Sequence, residues 1–128
     1  MSQGLADTSI FIASENDRPL RTSALPDALA VSVITIGELR AGVLAASDTM
    51  TRDRRLATLT NALALDPIPI DQSVAEAWAR LRVILRDLGR RMPVNDSWIA
   101  ATAISLGIAV VTQDDDYLEL PGLQVIHV

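Results

Sequence analysis

Short apolar runs alternating with longer segments of helical period constrain this chain more than any other feature. Residues 4–6 (GLA) run into Asp7 and are followed by 10–13 (IFIA), which suits a short first strand opening into a loop or helix. Residues 30–34 (AVSVI) and 108–111 (IAVV) read as buried strands, and the tail 123–128 (LQVIHV) reads as one more. Between them lie helical patterns. Ile36, Leu39, Val43 and Leu44 define an amphipathic helix that also carries Thr35 and Glu38. Residues 48–65 continue as a helix through Leu56, Leu59 and Leu63. Asp71 and Ser73 offer N-caps for a long helix with Val74, Ala77, Trp78, Leu81, Leu85 and Leu88 on one side, ended by Gly89 and Pro93. Asn95 and Asp96 are placed to cap a last helix through Ile99, Ala103 and Leu106, stopped by Gly107. The polar stretch 16–27, with Pro19 and Pro26, is a connection with at most a helical turn, and the Pro67–Pro69 segment holds at most the start of a strand. Strands joined by helical crossovers pair in parallel and need cover on both faces. The expected fold is an α/β/α sandwich with a central parallel sheet, in one domain spanning 1–128. At 128 residues and 49% apolar, with only four aromatic side chains, Ala, Leu, Ile and Val must fill the core.

Missing residue types narrow the chemistry. The chain has no cysteine, no lysine and a single histidine, His127, beside the C-terminus. Disulfides, thiol nucleophiles and thiolate metal sites are excluded, as are Walker-type phosphate loops and Schiff bases. A histidine-based triad or zinc site lacks its parts. Carboxylates, hydroxyls and eleven arginines remain. The start lacks the basic and apolar regions of a signal peptide, and the longest uncharged run, 97–113, is too short and too polar for the ~20 apolar residues of a membrane helix. The expectation is a cytoplasmic protein with no membrane partner.

In a parallel α/β sheet, strand C-termini and the N-termini of the following helices share one edge, where ligands bind. Asp7 ends the first strand and Glu38 lies near the start of the helix after the second. Asp96 begins the helix before IAVV, and Thr112, Gln113, Asp114, Asp115 and Asp116 follow that strand. Each acid has a structural explanation when taken alone. The sequence from Thr35 to Glu38 is a capping box, Asp96 a helix cap, and 114–116 a solvated turn. Asp7, among apolar neighbours in a strand, is harder to explain in this way. Together the acids repel one another, and the sequence sets no basic residue immediately beside Asp7, Asp96 or Asp114. A divalent cation with oxygen ligands, Mg²⁺ or Mn²⁺, is the economical neutraliser; such a site binds phosphate oxygens and activates water for phosphodiester attack.

The segments LADTSIFI around Asp7, SVITIGELRAGV around Glu38, VNDSWIAATAISLGIAVVTQDDDY, and the closing LQVIHV resemble PIN-domain ribonucleases. More narrowly, they resemble the VapC-type toxins of bacterial type II toxin–antitoxin systems, over essentially the whole chain. The resemblance implies a homodimeric, Mg²⁺- or Mn²⁺-dependent endoribonuclease that hydrolyses RNA and is neutralised by a cognate antitoxin. Asp7, Glu38 and Asp96 match the family's three core acids. Many members carry T-x-N-x-x-D-F in the fourth acidic region, where this chain has aspartates and one fewer spacer. Asp114 stands for the asparagine and Asp116 for the distal acid, one of the two facing the metal. Asp7, Glu38, Asp96, Asp114 and Asp116 are thus the implied metal-site residues, and Thr112 holds a water or supports a ligand. The implied products carry 5′-phosphate and 3′-hydroxyl ends.

A net charge of -5 is unusual for an RNA-binding protein. Arginines at 52, 54 and 55, or at 86, 90 and 91, either rim the acidic site or form solvated faces and partner contacts. Trp78 and Trp98 are expected in the core or a dimer face, with base stacking as the alternative. His127 is expected at the surface. Leu39, Val43, Leu44, Leu56, Leu59 and Leu63 exceed what one small sheet face needs and are expected to form a groove for an antitoxin helix. The competing reading is a catalytically inactive PIN-like protein- or RNA-binding module.

Overall fold

A computed structural model describes residues 1–117 and 119–128 of the chain; Leu118, in the segment after the last acids, lies outside the described residues. Four short strands, β1 (Gln3–Ala6), β2 (Ala28–Val31), β3 (Ala109–Thr112) and β4 (Val125–His127), form a wholly parallel sheet in the order β2-β1-β3-β4. Five helices connect and cover them: α1 (Thr8–Glu15), α2 (Val33–Ala45), α3 (Thr49–Leu63), α4 (Gln72–Asp87) and α5 (Val94–Leu106).

The two-residue side-chain period of the strands sorts the core into two layers. Leu5, Ala30 and Val110 face α4 and α5, where they meet Leu81, Leu85, Ile99, Ala100 and Ala103. Ala6 and Val111 face the other way, onto Ile10 of α1, Val128 and the apolar side chains of the 16–27 connection. The α2–α3 hairpin closes its own cluster of Leu39, Val43, Leu59 and Ala62, with Phe11 of α1 against it. The expected α/β/α sandwich is therefore the observed one.

Several local expectations are corrected. The 30–34 run is not one strand: β2 ends at Val31, and Ser32 caps α2 by accepting a hydrogen bond from Ile34 N at 3.1 Å. A serine hydroxyl can satisfy a free N–H at a helix start, so the apolar Val33 and Ile34 enter the helix instead of extending the strand. The capping box from Thr35 to Glu38 does not form, because the helix has already begun. Asn95 and Asp96 are not caps either; α5 starts after Pro93, with no side-chain cap, and Asp96 lies in its first turn. Asp71 does cap α4, by accepting from Val74 N at 2.9 Å. Leu88, expected on the buried side of α4, is its exposed C-cap. The turn in the 16–27 connection is a 3-10 turn at Thr22–Ala24, and the Pro67–Pro69 segment contributes one parallel bridge, Ser32 with Ile68. Among the described residues no helix is long and apolar enough to cross a membrane.

Candidate active site

The chain leaves β1 in one direction toward β2, and β3 lies on the other side of β1. This reversal opens a crevice at the C-terminal ends of β1 and β3. Asp7 follows β1 and is buried at 2% exposure, and its backbone N–H donates to Val111 O of β3 at 3.0 Å. It also caps α1: Asp7 Oδ1 accepts from Ser9 N at 3.1 Å and from Ser9 Oγ at 2.5 Å. Asp7 Oδ2 accepts from Thr112 Oγ1 at 2.7 Å, at the end of β3. The Thr112 hydroxyl accepts in turn from Asp114 N at 2.9 Å, and Ser9 Oγ accepts from Gln113 N at 2.9 Å. The sheet edge, α1 and the acidic turn after β3 are thus tied through one carboxylate.

Glu38 stands more than a turn into α2, half-buried, and its Oε1 accepts from Thr8 Oγ1 at 2.6 Å; Thr8 Oγ1 also lies 3.0 Å from Thr35 Oγ1. Asp96 reaches the same place from α5. A cleft of about 210 Å³ is lined by Asp7, Thr8, Ser9, Ile12, Arg18, Glu38, Asp96 and Asp114. Asp116 is exposed and does not line it, and Thr112 lies fully buried beneath. Asp115, also exposed, points to no role here beyond its charge.

The electrostatics follow from the convergence. Burial pushes the Asp7 carboxyl up to about 6, against the lowering effect of its hydroxyl and amide donors, with the charge of Asp114 adding to the rise. Burial likewise pushes Asp96 up to about 6, helped by the charges of Asp116, Asp7, Glu38 and Asp114. Asp114 is raised by burial and by Asp116, and lowered by Arg18. Carboxylates from four elements therefore share one field, and neighbouring negative charge adds to the rise at Asp7, Asp96 and Asp114. Among the described residues no ion pair neutralises them; the one salt bridge is Arg86 with Asp87.

This donor set suits a hard divalent cation in kind: oxygen only, several carboxylates, no sulfur or imidazole. Among the described residues no three acidic side chains yet close on a single point. The raised values of Asp7 and Asp96 come first from burial and then from the neighbouring acids, and a bound cation would favour the charged forms of both. The Tyr117 hydroxyl is buried without a hydrogen-bond partner among the described residues. Burial and then the charges of Asp7, Asp96, Glu38 and Asp114 hold it well above the usual tyrosine range, which places it within the same field.

Sequence reasoning missed Thr8, Ser9, Arg18 and Tyr117. An aspartate followed two residues later by serine at a helix start is a legible signal for the Ser9 contact. Tyr117 directly follows Asp116, so its place in the acidic segment after β3 was legible, whereas nothing in the sequence brings Arg18 to this edge. The six residues expected to form a groove divide between core and surface. Leu39, Val43 and Leu59 are consumed inside the α2–α3 hairpin, whereas Leu44, Leu56 and Leu63 stay exposed. The open cleft nearby, about 480 Å³, lies instead between α1 and α3 and is lined by Ile10, Phe11, Leu20 and Leu65 among others. Trp78 and Trp98 are partly buried and stacked on each other, with ring centroids 4.3 Å apart; His127 is exposed.

A four-stranded parallel sheet in this order, with acids from four elements at its switch point, defines a class. A PIN domain family model matches residues 5–123, and the chain belongs to that family. Within it, the chain is 46% identical over 125 residues to Ribonuclease VapC5 of Mycobacterium tuberculosis, covering 98% of this chain and 93% of that protein. It is 48% identical to Ribonuclease VapC4 of the same organism over 131 aligned residues, covering 98% and 97%. The fold superposes on the crystal structure of VapBC-5, a member of the VapBC family of toxin–antitoxin systems from M. tuberculosis, with a TM-score of 0.92 at 43% identity over 100% of both chains. The likeness extends to FitAcB of Neisseria gonorrhoeae at a TM-score of 0.76 and 27% identity over 94% of each chain.

Proposed function

We propose that this protein is the toxin of a type II toxin–antitoxin system, an endoribonuclease that hydrolyses RNA phosphodiester bonds and is held silent by a cognate antitoxin. One observation carries the chemistry: Asp7, Glu38, Asp96 and Asp114, from four separate elements, line one small cleft in which the first and third are pushed up to about 6. Near-complete identity of fold with a VapBC toxin–antitoxin structure and 46% identity to a VapC ribonuclease support the biological role.

In this reading Asp7, Asp96 and Asp114 would hold Mg²⁺ or Mn²⁺, directly or through water, with Glu38 lining the same cleft and Asp116 adding its charge from outside it. When bound, the ion activates water and offsets negative charge on the phosphoryl oxygens. The chain's own groups prepare for it. Ser9 and Thr112 fix both oxygens of Asp7, so that carboxylate keeps one orientation in the crevice. Thr8 orients Glu38 across the cleft, where its free oxygen is placed to accept a proton from an attacking water. The antitoxin is proposed to lie over the exposed leucines of α2 and α3 and the α1–α3 cleft. A homodimer and a cytoplasmic setting belong to the same proposal.

The test is cleavage of a fluorophore-quencher single-stranded RNA by the purified chain with Mn²⁺ and with chelator, beside Asp96→Asn prepared identically. Metal-dependent cleavage lost in the variant is the expected result. Equal activity in both would mean a contaminating nuclease, and no activity on any of several RNAs would favour the inactive binding module.

A further inference from the structure

The acidic cleft repels the RNA it is proposed to cut, so substrate affinity must come from cations beside it. The chain offers two arginine clusters, and the structure separates them. In the first, Arg55 Nη1 donates to Gly42 O at 2.7 Å and Arg52 Nη2 to Ala46 O at 3.3 Å. These arginines satisfy carbonyls at the end of α2, where a helix leaves its last acceptors open. Arg54 and Arg55 also lower Asp48 through their charge. Arg52 and Arg55 are thus tied to the end of α2, and Arg54 and Arg55 line a pocket that they share with Glu15 and Glu38, so acids already stand beside this cluster.

The second cluster is free for a ligand. A pocket of about 270 Å³ is walled by Arg82, Arg86, Arg90 and Arg91, with Met92 and Ser97 among its other lining residues and no acid. The nearby Asp87 pairs with Arg86 at 3.1 Å, but both side chains are more than half exposed, so water screens that pair. Arg82 is held in place: its guanidinium lies over the Trp78 ring, 5.1 Å from the centroid. Trp78 stacks on Trp98 with an interplanar angle of 1°, and Trp78 Nε1 donates to Ser97 Oγ at 3.0 Å. Ser97 Oγ donates to Val94 O at 2.5 Å, which locks this corner to the start of α5. With Trp98 and Arg82 against it, the Trp78 ring is a support for the pocket, not a platform for a base.

Ser97 directly follows Asp96, so pocket and acidic cleft share the first turn of α5. That helix start has no side-chain cap, and its partial positive charge adds to that of the arginines. We propose that the Arg82–Arg86–Arg90–Arg91 pocket binds a backbone phosphate of the RNA flanking the bond that is cut. The proposal rests on the ribonuclease reading above and adds to it where the strand leaves the cleft. Guanidinium groups suit this ligand because their fixed fork matches phosphate oxygens.

The test is fluorescence anisotropy of a labelled single-stranded RNA, with chelator present so that nothing is cut, across a salt series. Three proteins are compared: the chain itself, Arg90→Ala/Arg91→Ala, and Arg21→Ala/Arg40→Ala. The last removes the same charge from exposed positions outside both clusters. Thermal melting checks that both variants are folded. Arg90→Ala/Arg91→Ala should weaken binding about tenfold and lower the salt slope by about 0.7, the contribution of one single-strand phosphate contact. With Mn²⁺, its kcat/KM should fall by a similar factor through KM. An unchanged affinity and slope, or an equal loss in the control, would overturn the pocket assignment even if the chain cleaves RNA. So would a pocket that binds poly-glutamate and not RNA, which would mark it as a site for an acidic polypeptide. Binding that depends on Arg90 and Arg91 without any metal-dependent cleavage would keep the pocket and sink the ribonuclease reading.

Discussion

At Asp7 two opposing effects meet: burial and neighbouring charge raise its carboxyl, and three hydrogen-bond donors lower it. Burial wins, and at Asp96 burial is opposed by nothing among the described residues and the charges of four other acids add to it. A carboxyl raised from 3.8 to about 6 binds more protons in the folded chain than in the unfolded one across that interval. Its contribution to stability therefore falls as pH rises through roughly 4 to 6. Asp96→Asn removes one such term, so in metal-free buffer it should lose less stability than the parent over this range, as read by urea unfolding at stepped pH. Its melting temperature at pH 7 should be equal or higher while cleavage falls at least about 100-fold, since even outer partners of a metal site are worth 10–100-fold. A variant that unfolds instead would make Asp96 a structural residue. Tyr117→Phe tests the orphaned hydroxyl. A buried, unpartnered hydroxyl costs about 1–3 kcal/mol, so the variant should melt no lower than the parent. A clear drop would show that the hydroxyl is bonded in solution.

Among the elements, α2 separates a cap from a functional acid. Ser32 carries the cap that the sequence pattern assigned to the Thr35–Glu38 box, which frees Glu38 to face Thr8 across the cleft. Ser32→Ala should cost about 0.5–2 kcal/mol in denaturant unfolding, and Glu38→Gln should cost less while abolishing most cleavage. The reverse order of stability would restore the capping-box reading. In β1, a Cβ at Gly4 would sit 2.6 Å from Val111 Cγ2 and 2.8 Å from Pro26 Cγ. The central strand passes too close to β3 and the connection for any side chain there. Gly4→Ala should destabilise by about 1–3 kcal/mol, the usual cost of overpacking, and lower the melting temperature by several degrees. An unchanged melting temperature would mean that the 16–27 connection moves aside freely. Strand and helix identities were legible because their periods differ; their boundaries were not, because Val33 and Ile34 suit either element and one serine hydroxyl decides between them.

For the molecule as a whole, a cation that binds the folded chain alone must stabilise it. Mn²⁺ at 100 times its Kd should add about 2.7 kcal/mol and raise the melting temperature by several degrees, an effect absent in Asp7→Asn. No shift for the parent would remove the metal from the proposed function. The sequence by itself determined the sheet, its parallel pairing, the two covering layers and the acids at one edge, because side-chain period and crossover length are local properties that leave few topologies open. It also determined what chemistry was absent, since a residue type that is missing cannot be supplied by folding. Only the tertiary structure decided which acids meet. Asp114 lines the cleft and Asp116 does not, Arg18 arrives from a segment with no visible signal, and two arginines of one cluster bond carbonyls at the end of α2 while the other cluster walls a pocket without acids. These are contacts between residues tens of positions apart, fixed by packing across the sheet and between helices, and no pattern within a single segment encodes them.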